Sequence, residues 1–147
     1  MMDVVMVNSQ DKGKRAERAV VRFLAENGFP DVRRTKAGQR NDPGDVWPYG
    51  MVAPPPVIVS VKSGYTRDPH PGTREWQEWW GSLRRTCDMF GSIGLLCHAR
   101  EGKSSPLYWR WWTDLDLGFF TFPVDGPVQI TGSQALQWMR GRHDPPP

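Results

Sequence analysis

The chain has 147 residues, which suits one domain around one core. Eight Trp and six Phe offer large apolar area for that core, and no apolar run approaches the length of a membrane span. The net charge is only +3 but uneven: residues 12–40 carry nine Lys or Arg against three acids, so the rest of the chain is net acidic. From charge alone, a polyanion partner and a solvated helix face are equally good readings. Cys87 and Cys97 make no disulfide framework and do not sit with His at zinc-ligand spacing, so plain buried thiols are expected. Residues 1–8 lack the charged and then apolar pattern of a signal peptide. A soluble, intracellular protein of the cytoplasm, with no membrane partner, is expected.

In chain order, Asn8 can cap a helix with Asp11 in its first turn. Ala16, Ala19, Val20, Phe23 and Leu24 recur at helical spacing, and Gly28 is a natural residue to follow the end. Glu17 falls on the flank of that apolar stripe, while Lys14, Arg18 and Arg22 fall on the far side. An ordinary surface Glu in an i,i+4 pair fits this position as well as one turned toward a site. Residues 32–36 predict a first strand and residues 37–41 a polar loop. Gly44-Asp45-Val46 then delivers one acid at the start of a short strand. Residues 47–56 are rich in turn formers, with three consecutive Pro that cannot join a central strand. Val57 to Val61 is β-branched and nearly continuously apolar, so it predicts a buried central strand, paired hairpin-fashion with the strand around Asp45. Lys62 ends it. A Lys on a core strand must be desolvated or paired, so it is either misplaced or functional.

Residues 63–71 form a polar loop with Tyr65, Arg67 and His70, equally suited to touching DNA and to plain surface. Thr73 starts a second helix, on which Trp76, Trp79, Trp80, Leu83 and Cys87 make one wide apolar stripe. Core packing, a stacking platform for bases and a dimer seam all fit such a stripe. Glu75 projects about 100° from its centre and Glu78 about 160°. Residues 93–99 and 108–112 predict two outer strands of the sheet. Asp114 and Asp116 fall in a turn before another apolar run at 119–122, where capping and cation binding are both open. Residues 128–130 predict a last strand. Thr131 or Ser133 caps a final helix with Ala135, Leu136 and Met139 inward. There is no internal repeat. One domain over 1–147 is expected, with tails at 1–8 and 143–147.

Taken together, several of these pieces resemble a known family. They are Lys12-Gly13-x-x-x-Glu17, Phe23-Leu24-x-x-x-Gly28-Phe29, the Arg33-Arg34 strand, the Gly-containing loop, the Gly44-Asp45 step, and the strand ending Ser60-Val61-Lys62. In order and spacing they resemble the PD-(D/E)xK nuclease superfamily, and within it the archaeal-type and phage Holliday junction resolvases. The resemblance covers about residues 8–65. It implies an α/β restriction-endonuclease-like fold, a mixed central β-sheet flanked by helices. It implies a Mg²⁺-dependent DNA endonuclease, with Mn²⁺ able to substitute, that cuts branched DNA as a homodimer. Asp45 would be the bridging metal ligand, Glu17 the helix-borne ligand, and the carbonyl of Val61 a further one. Lys62 would orient the attacking water or stabilise the charged phosphate. Lys14, Arg33, Arg34, Lys36 and Arg40 would hold flanking phosphates of the DNA.

Ser60 departs from the family, which carries an Asp or Glu there. A hydroxyl is a poorer Mg²⁺ ligand than a carboxylate. Either the acid has moved to the second helix, where Glu75 can reach inward and Glu78 faces water, or the site is inactive. A restriction-type or other DNA nuclease, and a branched-DNA-binding protein without catalysis, are the alternatives to a resolvase.

Overall fold

The computed structural model describes residues 2–35, 46–64, 69–113 and 127–141, with side chains from residue 13 onward. These residues form an α/β arrangement: a mixed six-stranded sheet with three helices packed on it. Helix α1 spans Met2–Glu26, and strands β1 (Arg33–Arg34), β2 (Val46–Trp47) and β3 (Val57–Lys62) follow. Helix α2 (Arg74–Phe90) leads to β4 (Ile93–His98), then β5 (Arg110–Thr113), β6 (Val128–Ile130) and α3 (Gly132–Gly141). The strands lie in sequence order across the sheet. β1, β2 and β3 form an antiparallel meander, with Val46 opposite Val59. β3 and β4 are parallel, joined by the α2 crossover, and β5 and β6 return antiparallel.

Strand alternation divides the core into two layers. Val57, Val59 and Val61 turn to one face, with Leu95, Cys97 and Trp111, and are covered by Val20, Phe23 and Leu24 of α1 and by Leu136 and Met139 of α3. Ile58, Leu96 and Trp112 turn to the other face and are covered by Trp76, Leu83 and Cys87 of α2. The tryptophan stripe is therefore core at Trp76, which is fully buried and stacked on Trp80 at 5.4 Å, while Trp79 and Trp80 are half-buried at its margin. The ends of α2 are set by local chemistry. Thr73 Oγ1 accepts from the Trp76 amide at 3.3 Å, and Gly91, at φ 67°, closes the C-terminus. Thr131 and Gln134 form a reciprocal capping box at the start of α3, with bonds of 3.1 and 2.9 Å.

Three expectations are corrected. α1 begins at Met2, well before Asn8, so Asn8 lies inside the helix and does not cap it. β5 begins at Arg110, because Ser105 caps a 3₁₀ turn over Pro106–Tyr108 by accepting from the Leu107 amide. β4 and β5 are interior strands, each paired on both sides, and the edges are β1 and β6. The physical reason is visible in β4, whose residues are buried on both faces from Gly94 to His98, as an edge strand open to water would not be. The apolar run at 119–122 and the acids Asp114 and Asp116 lie outside the described residues.

Candidate functional site

β3 carries the residues that matter most. Its first five residues are buried and Lys62, the last, is half-buried. Ser60 and Lys62 share the parity of Ile58, so they lie on the α2 face of the sheet. Ser60 is 8% exposed, a buried hydroxyl where a carboxylate was expected by resemblance. The Lys62 carbonyl accepts from the Ala99 amide at 2.8 Å, which ties the end of β3 to the end of β4. The Val61 side chain packs into the layer under α1.

Across the sheet, register aligns two rows on the α2 face. Ser60 stands beside Leu96, and Leu96 beside Trp112. One step further along, Lys62 stands beside His98, and His98 beside Arg110. His98 is 3% exposed, and its ring stacks on Trp79 of α2 with centroids 5.8 Å apart and planes at 20°. Lys62 and Arg110 are half-buried on either side of it.

Glu75 is exposed and lies one helical turn before Trp79. Glu78 is also exposed and pairs with Arg74 at 3.4 Å, as a water-facing position should. Glu17 is half-buried on α1, where its carboxylate meets Arg34 Nε of β1 at 3.3 Å. Arg34 stands opposite Val46, whose side chain belongs to the α1 layer. Among the described residues, then, Glu17 and Arg34 are brought together on one face, and Ser60 and Lys62 on the other. Lys14, Arg18, Arg22 and Arg33 are exposed, which leaves a basic surface on α1 and the neighbouring edge strand. Asp45, Lys36 and Arg40 lie outside the described residues. Among the described residues no group of three or more His, Cys, Asp or Glu gathers as a cation site.

The two thiols are free and sit in opposite layers, Cys87 under α2 and Cys97 under α1. Burial pushes the Cys87 thiol up to about 12, with Arg84 opposing and Asp88 adding to the rise. Burial alone pushes Cys97 well above the ordinary range. Both are poor nucleophiles in the folded protein. Sequence reasoning missed His98 beside Lys62, Arg110 on the far side of His98, and Trp79 stacked on the His98 ring. The available signal was that two apolar runs of six residues each end in a basic side chain, Lys62 and His98, and parallel pairing in register brings such ends together.

No family model, curated protein or solved structure matches the chain. Among the described residues, no helix is long and apolar enough to cross a membrane.

Proposed function

We propose that the chain is a Mg²⁺-dependent DNA endonuclease of the Holliday junction resolvase kind, hydrolysing phosphodiesters in branched DNA as a homodimer. The observation that carries this reading is the setting of Lys62: a cation at the end of a buried central strand, half-buried beside other basic groups. Such a position suits an ammonium that meets a phosphate or a water attacking it. The antiparallel meander followed by a helical crossover to a parallel strand is compatible with the restriction-endonuclease-like fold. The basic surface of α1 and β1 suits flanking phosphates.

Carboxylates are the hard oxygen donors Mg²⁺ takes, and Glu17 offers one in a half-buried setting. Asp45 and the Val61 carbonyl would be the chief donors; Glu17 lies on the α1 face of the sheet and Lys62 and Ser60 on the α2 face, which counts against one metal site that holds Glu17 beside Lys62. When bound, the metal would neutralise the phosphate and acidify a water. Lys62 would stabilise the charge that builds on the phosphoryl oxygens, and Arg33, Arg34, Lys36 and Arg40 would fix the backbone of the DNA. Glu75 is the candidate for the acid that Ser60 does not supply.

A second reading is a branched-DNA-binding protein without catalysis. It is favoured by buried Ser60 and by the ion pair that occupies Glu17. One experiment separates the readings: incubation with a four-way junction, a linear duplex and a single strand, each with and without Mg²⁺. Cutting confined to the junction supports a resolvase. Cutting of linear duplex supports a restriction-type nuclease. Junction binding without cutting at any divalent concentration supports the non-catalytic reading.

A further inference from the structure

The two long helices treat charge differently on the sides they turn to water. On α2, acids balance cations one turn apart: Arg74 pairs with Glu78 at 3.4 Å and Arg84 with Asp88 at 3.9 Å. On α1, Lys14, Arg18 and Arg22 follow one another at i,i+4 spacing with Arg15 beside them, and all four are exposed. Among the described residues none of the four pairs with an acid. Glu17 lies off this line and is taken by Arg34. Between Asp11 and Glu26 the line itself holds no acid. At about 100° per residue, Arg18 stands opposite the buried stripe of Ala16, Val20, Phe23 and Leu24, so the line faces straight out from the core. Like charges at i,i+4 weaken a helix, and an anion lying along the line would offset that cost. From Lys14 to Arg22 the line rises about 12 Å. A DNA strand carries one phosphate per about 3.4 Å of duplex axis, so roughly three or four phosphates match that length.

We propose that Lys14, Arg15, Arg18 and Arg22 form a docking surface for the phosphate backbone of DNA, separate from the Lys62 site. This rests on the nucleic-acid reading above but not on catalysis. α1 covers the sheet face opposite the one that carries Lys62, so the surface adds affinity without meeting a phosphate held at Lys62.

The test is binding of a fluorescein-labelled four-way junction and a linear duplex by anisotropy, in EDTA, so that cleavage plays no part. Lys14→Gln combined with Arg18→Gln and Arg22→Gln is expected to weaken binding of both on the order of a hundredfold and to make the salt dependence shallower by about three units of slope. Its melting temperature should hold or rise, because repulsion along the helix is relieved. Arg18→Gln alone should weaken binding about fivefold, with the slope shallower by about one unit, and it decides the matter if the triple variant unfolds. Arg74→Gln combined with Arg84→Gln and Arg85→Gln makes the same charge change on α2 and should leave affinity within about threefold. If the α1 variants bind as the parent does, with the parent salt slope, the proposal is overturned, whether or not the parent cuts DNA. Equal losses in the α1 and α2 triple variants overturn it too, because net charge alone then accounts for binding. If the α1 variants bind weakly while the parent never cuts with Mg²⁺, the surface stands and the nuclease reading falls. A parent chain that binds no DNA overturns both.

Discussion

Lys62 carries its charge on the last residue of a strand whose other five residues are buried. Keeping a charge there is costly unless an anion or a charge partner repays it. Lys62→Ala should therefore lower junction cleavage by orders of magnitude while binding falls no more than about tenfold and the circular dichroism spectrum holds. Loss of the spectrum instead would make Lys62 a structural residue. Asp45→Asn should separate cutting from binding in the same way. Glu17 now has a definite partner in Arg34, at partly exposed positions where such a pair contributes about 0–1 kcal/mol. Glu17→Gln should thus cost little stability, and a rise in the Mg²⁺ concentration needed for cutting would mark it as a ligand. An unchanged Mg²⁺ requirement assigns Glu17 to Arg34 alone. Ser60 gives opposed outcomes. If the acid has moved, Glu75→Ala abolishes cutting, Glu78→Ala does not, and adding Ser60→Glu to Glu75→Ala recovers part of it. If the acid is lost, Glu75→Ala changes little and Ser60→Glu alone creates or greatly raises Mg²⁺-dependent cutting. The thiols predict a pH dependence of stability. Their folded values lie above the ordinary 9.0, so their contribution is full below about pH 9 and is lost as pH rises, toward about 12 for Cys87. The melting temperature of Cys97→Ala should fall less steeply above pH 9 than that of the parent. Parallel curves would contradict this assignment.

Helix α2 is the element that joins core to candidate site. Its buried stripe anchors it on β4, and its margin presents Trp79 to His98, with exposed Glu75 one helical turn earlier. Trp76 is fully buried, so Trp76→Ala should destabilise by about 3–5 kcal/mol, measured by denaturant unfolding. Gly94 sets how closely α2 approaches β4. A methyl group there would stand 2.8 Å from Cys87 Sγ and 3.0 Å from Leu83 Cγ. Gly94→Ala should cost about 1–3 kcal/mol, and adding Cys87→Ala should return part of it, because the sulfur is the nearest obstacle. Strict additivity of the two changes would contradict that contact. The α2 stripe, its Thr73 cap and the β3 run were legible because each is a local pattern: helical spacing, a capping oxygen and β-branched continuity. The place of β4 and β5 inside the sheet was not, since strand order depends on which long-range pairs form. The start of α1 is not legible at Asn8, because a good capping residue is also tolerated inside a helix when neighbouring turns continue it.

At the scale of the whole molecule, the fold class could be read from the order of patterns, but the site only in part. Lys62 and Glu17 stood out as charges at odd places on apolar elements. The row with His98 and Arg110 needed the register of three strands, which no local pattern encodes. The same limit applies to the faces: alternation fixes that Ser60 and Lys62 agree, while only packing shows that α2 covers them and α1 covers the opposite side. The exposed basic residues of α1 and β1 form a surface rather than a pocket, and should act through charge alone. Arg33→Gln should weaken binding to all DNA forms alike and make the salt dependence shallower by about one unit of slope. A changed preference among sequences with an unchanged slope would mean base readout instead. The central claim is hydrolysis of branched DNA at the site that contains Lys62. Its most direct test is gel-resolved cleavage of a labelled four-way junction by the parent chain and by Lys62→Ala, across a Mg²⁺ titration. The account predicts Mg²⁺-dependent cutting of the junction by the parent and none by Lys62→Ala at protein concentrations that bind the junction to the same extent. Equal cutting by both proteins, or none by the parent at any Mg²⁺ concentration, would contradict it.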